Sequence, residues 1–169
     1  MEYEIPKELA IKVGQDALTV SAKGVATKVK FNSQVMKVAE KGGKLEITAW
    51  GSENRTKRAA MISLTKHIDN VAKGANKPFE KSLTVIYAHF PVSVEVKGKE
   101  IFIKNFLGEK LPRKAAISGN AAVKVNGQEI TVTGANKDEV GQTAANLVSA
   151  TRITNKDRRV FQDGIYYSE

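Results

Sequence analysis

Apolar and polar positions alternate along most of this chain, and twice the alternation gives way to helical spacing. Ile11/Val13, Leu18/Val20, Val29/Phe31, Val35 onward and Leu45/Ile47/Ala49 follow the period of two that marks half-buried strands. Val94/Val96, Ile101/Ile103, Ala115/Ile117, Val123/Val125 and Ile130/Val132 do the same further on. Short connections at Gly14-Gln15-Asp16, Gly42-Gly43, Gly98-Lys99 and Asn126-Gly127 predict hairpins, hence antiparallel sheets. Ala60, Leu64, Ile68 and Val71 recur at spacings of four and three, predicting an amphipathic helix with Asn54 as its N-cap and Gly74 as a left-handed C-cap. Asn136 and Glu139 resemble a capping box that opens a second helix, with Val140, Ala144, Leu147 and Val148 as its buried stripe.

These two series are copies of one another. An offset of 85 pairs Leu45 with Ile130, Ile47 with Val132, Ala59-Ala60 with Ala144-Ala145 and Ile68 with Ile153. An offset of 83 pairs Ile11, Val13, Leu18 and Val20 with Val94, Val96, Ile101 and Ile103. The expected architecture is therefore α+β: two tandem copies of a small domain, each an antiparallel sheet structure packed with one helix. With Gly74-Ala75-Asn76-Lys77-Pro78 as a polar linker, the domains are expected at 1–79 and 80–169.

Charge adds the first functional constraint. Lys and Arg number 27 against 18 Asp and Glu, a net +9 on 169 residues, which attracts polyanions without specifying a fold. The excess is even: residues 1–80 carry 14 basic and 9 acidic side chains, residues 81–169 carry 13 and 9. A binding surface must therefore be assembled by folding. The chain has no cysteine, which excludes disulfides, thiolate metal sites and a cysteine nucleophile. No apolar run approaches the roughly 20 residues of a membrane span, and the acidic start Met1-Glu2-Tyr3-Glu4 is unlike a secretory signal, so no membrane role is expected.

Catalysis finds little support. His67 falls within the first helix and reads as a surface or half-buried helix residue, His89 ends a strand before Phe90-Pro91 and reads as structural, and two histidines without cysteine make no common zinc constellation. Neither a phosphate-loop pattern nor a G-x-S-x-G elbow occurs; Gly42-Gly43-Lys44 precedes a strand and reads as a turn. No enzyme, cofactor or small-molecule substrate is expected.

Two stretches instead suit a polyanion. Residues 104–114 hold Lys104, Lys110, Arg113 and Lys114 around a Gly and a Pro. Residues 152–167 hold Arg152, Lys156, Arg158 and Arg159, then the Asp163-Gly164 pair, read as a turn. Guanidinium forks match phosphate oxygens and stack on bases. Phe106, Leu107, Phe161 and Ile165 are either core anchors or part of that surface.

The segments Asn105-Phe106-Leu107-Gly108-Glu109-Lys110 with Arg113, Val140-Gly141-Gln142-Thr143-Ala144-Ala145 and Arg159-Val160-Phe161-Gln162-Asp163-Gly164-Ile165-Tyr166 resemble ribosomal protein six of the large subunit in its archaeal and eukaryotic form. The resemblance covers essentially the whole chain. It implies a duplicated α+β domain and a non-enzymatic, cytoplasmic, ribosomal role. It further implies large-subunit rRNA as partner, bound mostly through the second domain. The implied place is near the stalk base, its neighbouring proteins, the sarcin-ricin loop and the docking site of translational GTPases. Chemistry and position give Lys104, Lys110, Arg113, Lys114, Arg152, Lys156, Arg158 and Arg159 as candidate contacts, with Lys124 behind them. A free RNA-binding module or a domain that takes an acidic protein partner would present the same charges.

Overall fold

A computed structural model describes residues 2–6, 9–22, 25–41, 43–52, 54–157 and 159–168. The chain divides into two compact units, Met1–Lys77 and Pro78–Glu169. In the first, β1 (Glu2–Glu4), β2 (Ala10–Val13), β3 (Ala17–Ala22), β4 (Val25–Lys30), β5 (Met36–Lys41) and β6 (Lys44–Ala49) precede α1 (Arg55–Asn76). They form two antiparallel sheets, ordered β2-β3-β4 and β1-β6-β5. Alternation does what it predicts: Leu18, Val20, Leu45 and Ile47 are fully buried and meet Leu64 and Ile68 of α1 in one core. Each such Leu or Ile contributes roughly 1.5–3 kcal/mol by leaving water.

The second unit repeats this plan with β7 (Phe79–Ile86), β8 (Ser93–Lys97), β9 (Glu100–Lys104), β10 (Arg113–Ala116), β11 (Ala122–Asn126), β12 (Glu129–Gly134), α2 (Lys137–Ala150) and β13 (Gly164–Tyr167). Its sheets run β8-β9-β10 and β11-β12-β7-β13. Strand for strand, β8-β9-β10 repeats β2-β3-β4, and β7-β12-β11 repeats β1-β6-β5. Only β13 is new. Leu83, Ile101, Ile103, Ile130, Val132 and Leu147 fill the second core.

The helices depart from the sequence pattern in three places. First, α1 runs through Gly74, which is buried inside it, and stops at Asn76. Pro78 disfavours helical geometry in the residue before it, and Lys77 is extended at φ −135°, ψ 117°. The expected linker thus shrinks to the joint itself, and Phe79 already belongs to β7. Second, Ile68 and Ile153 are not equivalents: Ile68 is mid-helix, whereas Ile153 lies beyond α2. Third, Gly134 leads into Asn136, whose side chain accepts from the Asp138 amide while its own amide donates to Glu139, so the box closes one residue early. Asn54 caps α1 as expected, accepting from the Lys57 amide.

The burial patterns of the helices match at a different offset from the strands. Leu45 pairs with Ile130 at 85, but buried Met61, Leu64, Thr65 and Ile68 pair with buried Val140, Thr143, Ala144 and Leu147 at 79. The difference, 85 − 79, is six extra residues in the first unit between its last strand and its helix face. Three lengthen the connection, five residues (50–54) against two (135–136), and three add most of a turn to the start of α1.

Candidate nucleic-acid interface

Strand parity sorts the first basic stretch. On β10, Arg113 pairs with buried Ile103 and faces the core side, so Lys114, its neighbour, faces outward opposite Phe102. Arg113 is committed to the protein. Its Nε and Nη2 donate to the two carboxylate oxygens of Glu109 at 2.8 and 2.6 Å, and Nη1 donates to the carbonyls of Ala150 and Arg152 at 3.0 and 3.1 Å. The guanidinium carbon also stands 4.4 Å from the centre of the buried Phe106 ring. Four of its N–H groups are thus already engaged within the protein, which favours a structural role over the phosphate contact expected of it. It ties the turn at 105–109 to the C-terminus of α2, where its charge also suits the exposed carbonyls.

What it ties down is strained. Asn105 and Leu107 have φ of 58° and 51°, left-handed values that are rare for a leucine, and Gly108 follows at 74°, where an added Cβ would meet the Phe90 ring. Such backbone persists only where surrounding contacts fix it. The Glu109–Arg113 pair supplies one contact, and the Asn105 amide donating to the Pro91 carbonyl at 3.1 Å supplies another. The guanidinium holds the Glu109 carboxyl below its ordinary range, against a smaller opposing effect of burial, and Lys156 adds to the lowering.

The bond from Arg113 to the Arg152 carbonyl brings the two stretches together. The loop between α2 and β13 is pinned at both ends: the Thr151 hydroxyl accepts from the Ile165 amide at 3.0 Å, and buried Asp163 accepts from the Ala88 amide at 2.9 Å. Asp163 is therefore an anchor, and Gly164 opens β13; neither forms the expected turn. Between these pins Arg152, Lys156 and Arg159 are exposed, and Lys110 is exposed beside Glu109 on the facing turn. Lys156 lies 4.6 Å from the Phe161 ring, which is 39% exposed, whereas Phe106 and Ile165 are core anchors. Phe161, Arg152 and Tyr166 line an open cavity of about 410 Å³. Arg158 lies outside the described residues.

A second cluster occupies the outer face of the β8-β9-β10 sheet. Lys114 and Lys97 stand 5.3 and 5.7 Å from the Phe102 ring. Lys104 is paired with Glu95 at 2.5 Å, holding that carboxyl below its ordinary range. Lys97 was missed in the sequence, although parity with outward-facing Phe102 would have placed it there. Lys124 is exposed on β11, apart from both clusters in register. His67 is half-buried on α1 and His89 is exposed after β7, and among the described residues no group of three or more His, Asp or Glu could hold a metal ion. Among the described residues no helix is long and apolar enough to cross a membrane.

The chain can be set beside known proteins on this basis. The family pattern described as Ribosomal protein L6 matches residues 90–164, a span that contains the 105–109 turn, Arg113 and the pinned loop. Large ribosomal subunit protein uL6 of Methanosarcina mazei is 40% identical over 163 residues, covering 96% of this chain and 92% of its own. The uL6 proteins of Archaeoglobus fulgidus and Methanococcus vannielii are each 41% identical, over 96% and 99% of this chain and 85% and 92% of theirs. A likeness of this depth across both units settles kinship: the chain belongs to the uL6 family of large-ribosomal-subunit proteins, a structural rather than an enzymatic family.

Proposed function

We propose that this chain is a structural constituent of the large subunit of the cytoplasmic ribosome and that its second unit grips large-subunit rRNA through the pinned loop and the facing turn. One observation carries the reading. Arg113 and Glu109 join two basic stretches some forty residues apart in sequence, and leave Lys110, Arg152, Lys156 and Arg159 exposed on one assembled surface. Fixed cations suit the phosphates and 2′-hydroxyls of folded RNA, whose deep major groove admits little base reading. Lys97 and Lys114 around Phe102 offer a second, weaker contact. The place implied by the family resemblance is the stalk base, beside its proteins and the sarcin-ricin loop, where translational GTPases dock. There a rigid grip would hold rRNA segments in fixed relation.

Four to six phosphate contacts would make log affinity fall against log salt with a slope of roughly −3 to −5. In the full chain carrying Lys110→Ala, Arg152→Ala, Lys156→Ala and Arg159→Ala, binding to a large-subunit rRNA transcript across a KCl series should weaken, and the slope should shrink by about 3. The circular dichroism spectrum should not change. Unaltered RNA affinity with lowered thermal stability would make these cations structural and end the proposal.

A further inference from the structure

We propose that the joint between β6 and α1 in the first unit is a separate RNA-binding surface, on which an unstacked base lies against Trp50 while Arg55 and Arg58 hold its flanking phosphates. This surface is independent of the second-unit grip.

The two copies differ here in length and in residue type. The first unit holds six extra residues between strand and helix face, and the lengthened connection opens on Trp50, the only tryptophan of the chain. Trp50 is 55% exposed, at a position where the strand offset places Ala135 in the sister copy. A large aromatic ring left in water at an added segment serves no core. The turn that carries it is nevertheless fixed: the Lys57 ammonium donates to the carbonyls of Trp50 and Ser52, Gly51 takes a left-handed φ of 68°, and the Trp50 amide donates to the Val35 carbonyl at 3.1 Å. The ring is displayed on a prepared support.

Charge around it follows the same divergence. The first turn of α2 carries Asp138 and Glu139, which favour the positive end of a helix. The first turn of α1 has no acidic residue but carries Arg55, Lys57 and Arg58, which oppose that end. Arg55 and Arg58 are both exposed. Arg58 and Gly51 line a groove of about 610 Å³ between β6 and α1, and Trp50 and Lys37 line a second of about 230 Å³. An exposed indole with two exposed guanidinium groups five and eight residues further along the chain suits single-stranded or loop RNA, where bases stack without hydrogen-bond reading. An acidic peptide would use the cations but leave the indole face without a partner.

Trp50 is its own probe. Titrating the full chain with an oligouridylate of about 12 nucleotides should quench its fluorescence. The Arg55→Ala/Arg58→Ala double variant should bind about fivefold more weakly or worse, and added KCl should weaken binding further. In the chain carrying Lys110→Ala, Arg152→Ala, Lys156→Ala and Arg159→Ala, quenching should persist unchanged, so failure of the second-unit grip leaves this result standing. A Trp50 signal that stays fixed throughout the titration overturns the proposal. So does equal quenching by polyglutamate, which would assign the joint to an acidic protein.

Discussion

The two units share one plan of strands and helix but spend their charged side chains differently. In the second, every aromatic–cation contact among the described residues is found: Lys81 over Tyr167, Lys97 and Lys114 over Phe102, Arg113 over Phe106, Lys156 over Phe161. There, a charged side chain can act as a strut, as Arg113 does between turn and helix end. In the first unit the position of Arg113 is taken, at the strand offset of 83, by Lys30 at the end of β4, and β1 is instead fastened to α1 by a hydroxyl: Tyr3 donates to Asp69 at 2.5 Å. Duplication gives two copies one core, while the ties at the periphery are free to diverge, and with them what each copy can display.

That contrast can be broken at its strut. Arg113→Ala should cost the second unit roughly 2–3 kcal/mol, because a bidentate carboxylate pair and two carbonyl bonds go together. Arg113→Lys should recover less than half, since a point charge cannot replace the fork. In urea, the far-UV transition of the second unit should move while Trp50 fluorescence, which reports on the first, keeps its midpoint. If both moved together, the units would not be energetically separate. If neither moved, Arg113 would be free for RNA after all.

The corresponding tie in the first unit is smaller. Tyr3→Phe should cost about 1 kcal/mol, seen in the Trp50 transition. Burial first, and then the bond to Asp69, push the Tyr3 hydroxyl above its ordinary value. A raised pKa means the stabilisation is complete below the unfolded value near about 10 and fades as pH rises through the folded one. Wild type and Tyr3→Phe should therefore converge in strong alkali. The smallest effect belongs to Glu109→Gln, which keeps one acceptor for Arg113. The Glu109 carboxyl is depressed, so its contribution is present above about pH 4.5 and is lost as pH falls through the folded value. Wild type should lose second-unit stability in that acid range more steeply than the variant; parallel curves would show that the carboxylate charge is immaterial.

Most of the strands were legible because their buried residues alternate strictly, as at Leu18/Val20 and Ile101/Ile103. β7 was harder: it is paired on both sides, yet carries Glu80 and Lys81 directly after its first residue, and only Leu83 and Val85 are buried on it. The helix offset misled because alanine pairs recur easily, while the burial rows that fix register appear only in three dimensions. The basic stretches were visible as composition, but the role of Arg113 was not. A guanidinium between Pro112 and Lys114 reads as a phosphate ligand until strand parity turns it toward Ile103 and α2. The same parity, applied to Phe102, would have found Lys97.

The closing strand β13 sets an order of events. Its pairing with β7 holds the far pin of the basic loop, so during synthesis the loop cannot take its shape until residues 164–167 have been made. Sheet, helix and strut can form earlier, but the loop stays open at its far end while residues 164–167 are missing, so the surface proposed to grip rRNA is the last part of the second unit to be completed.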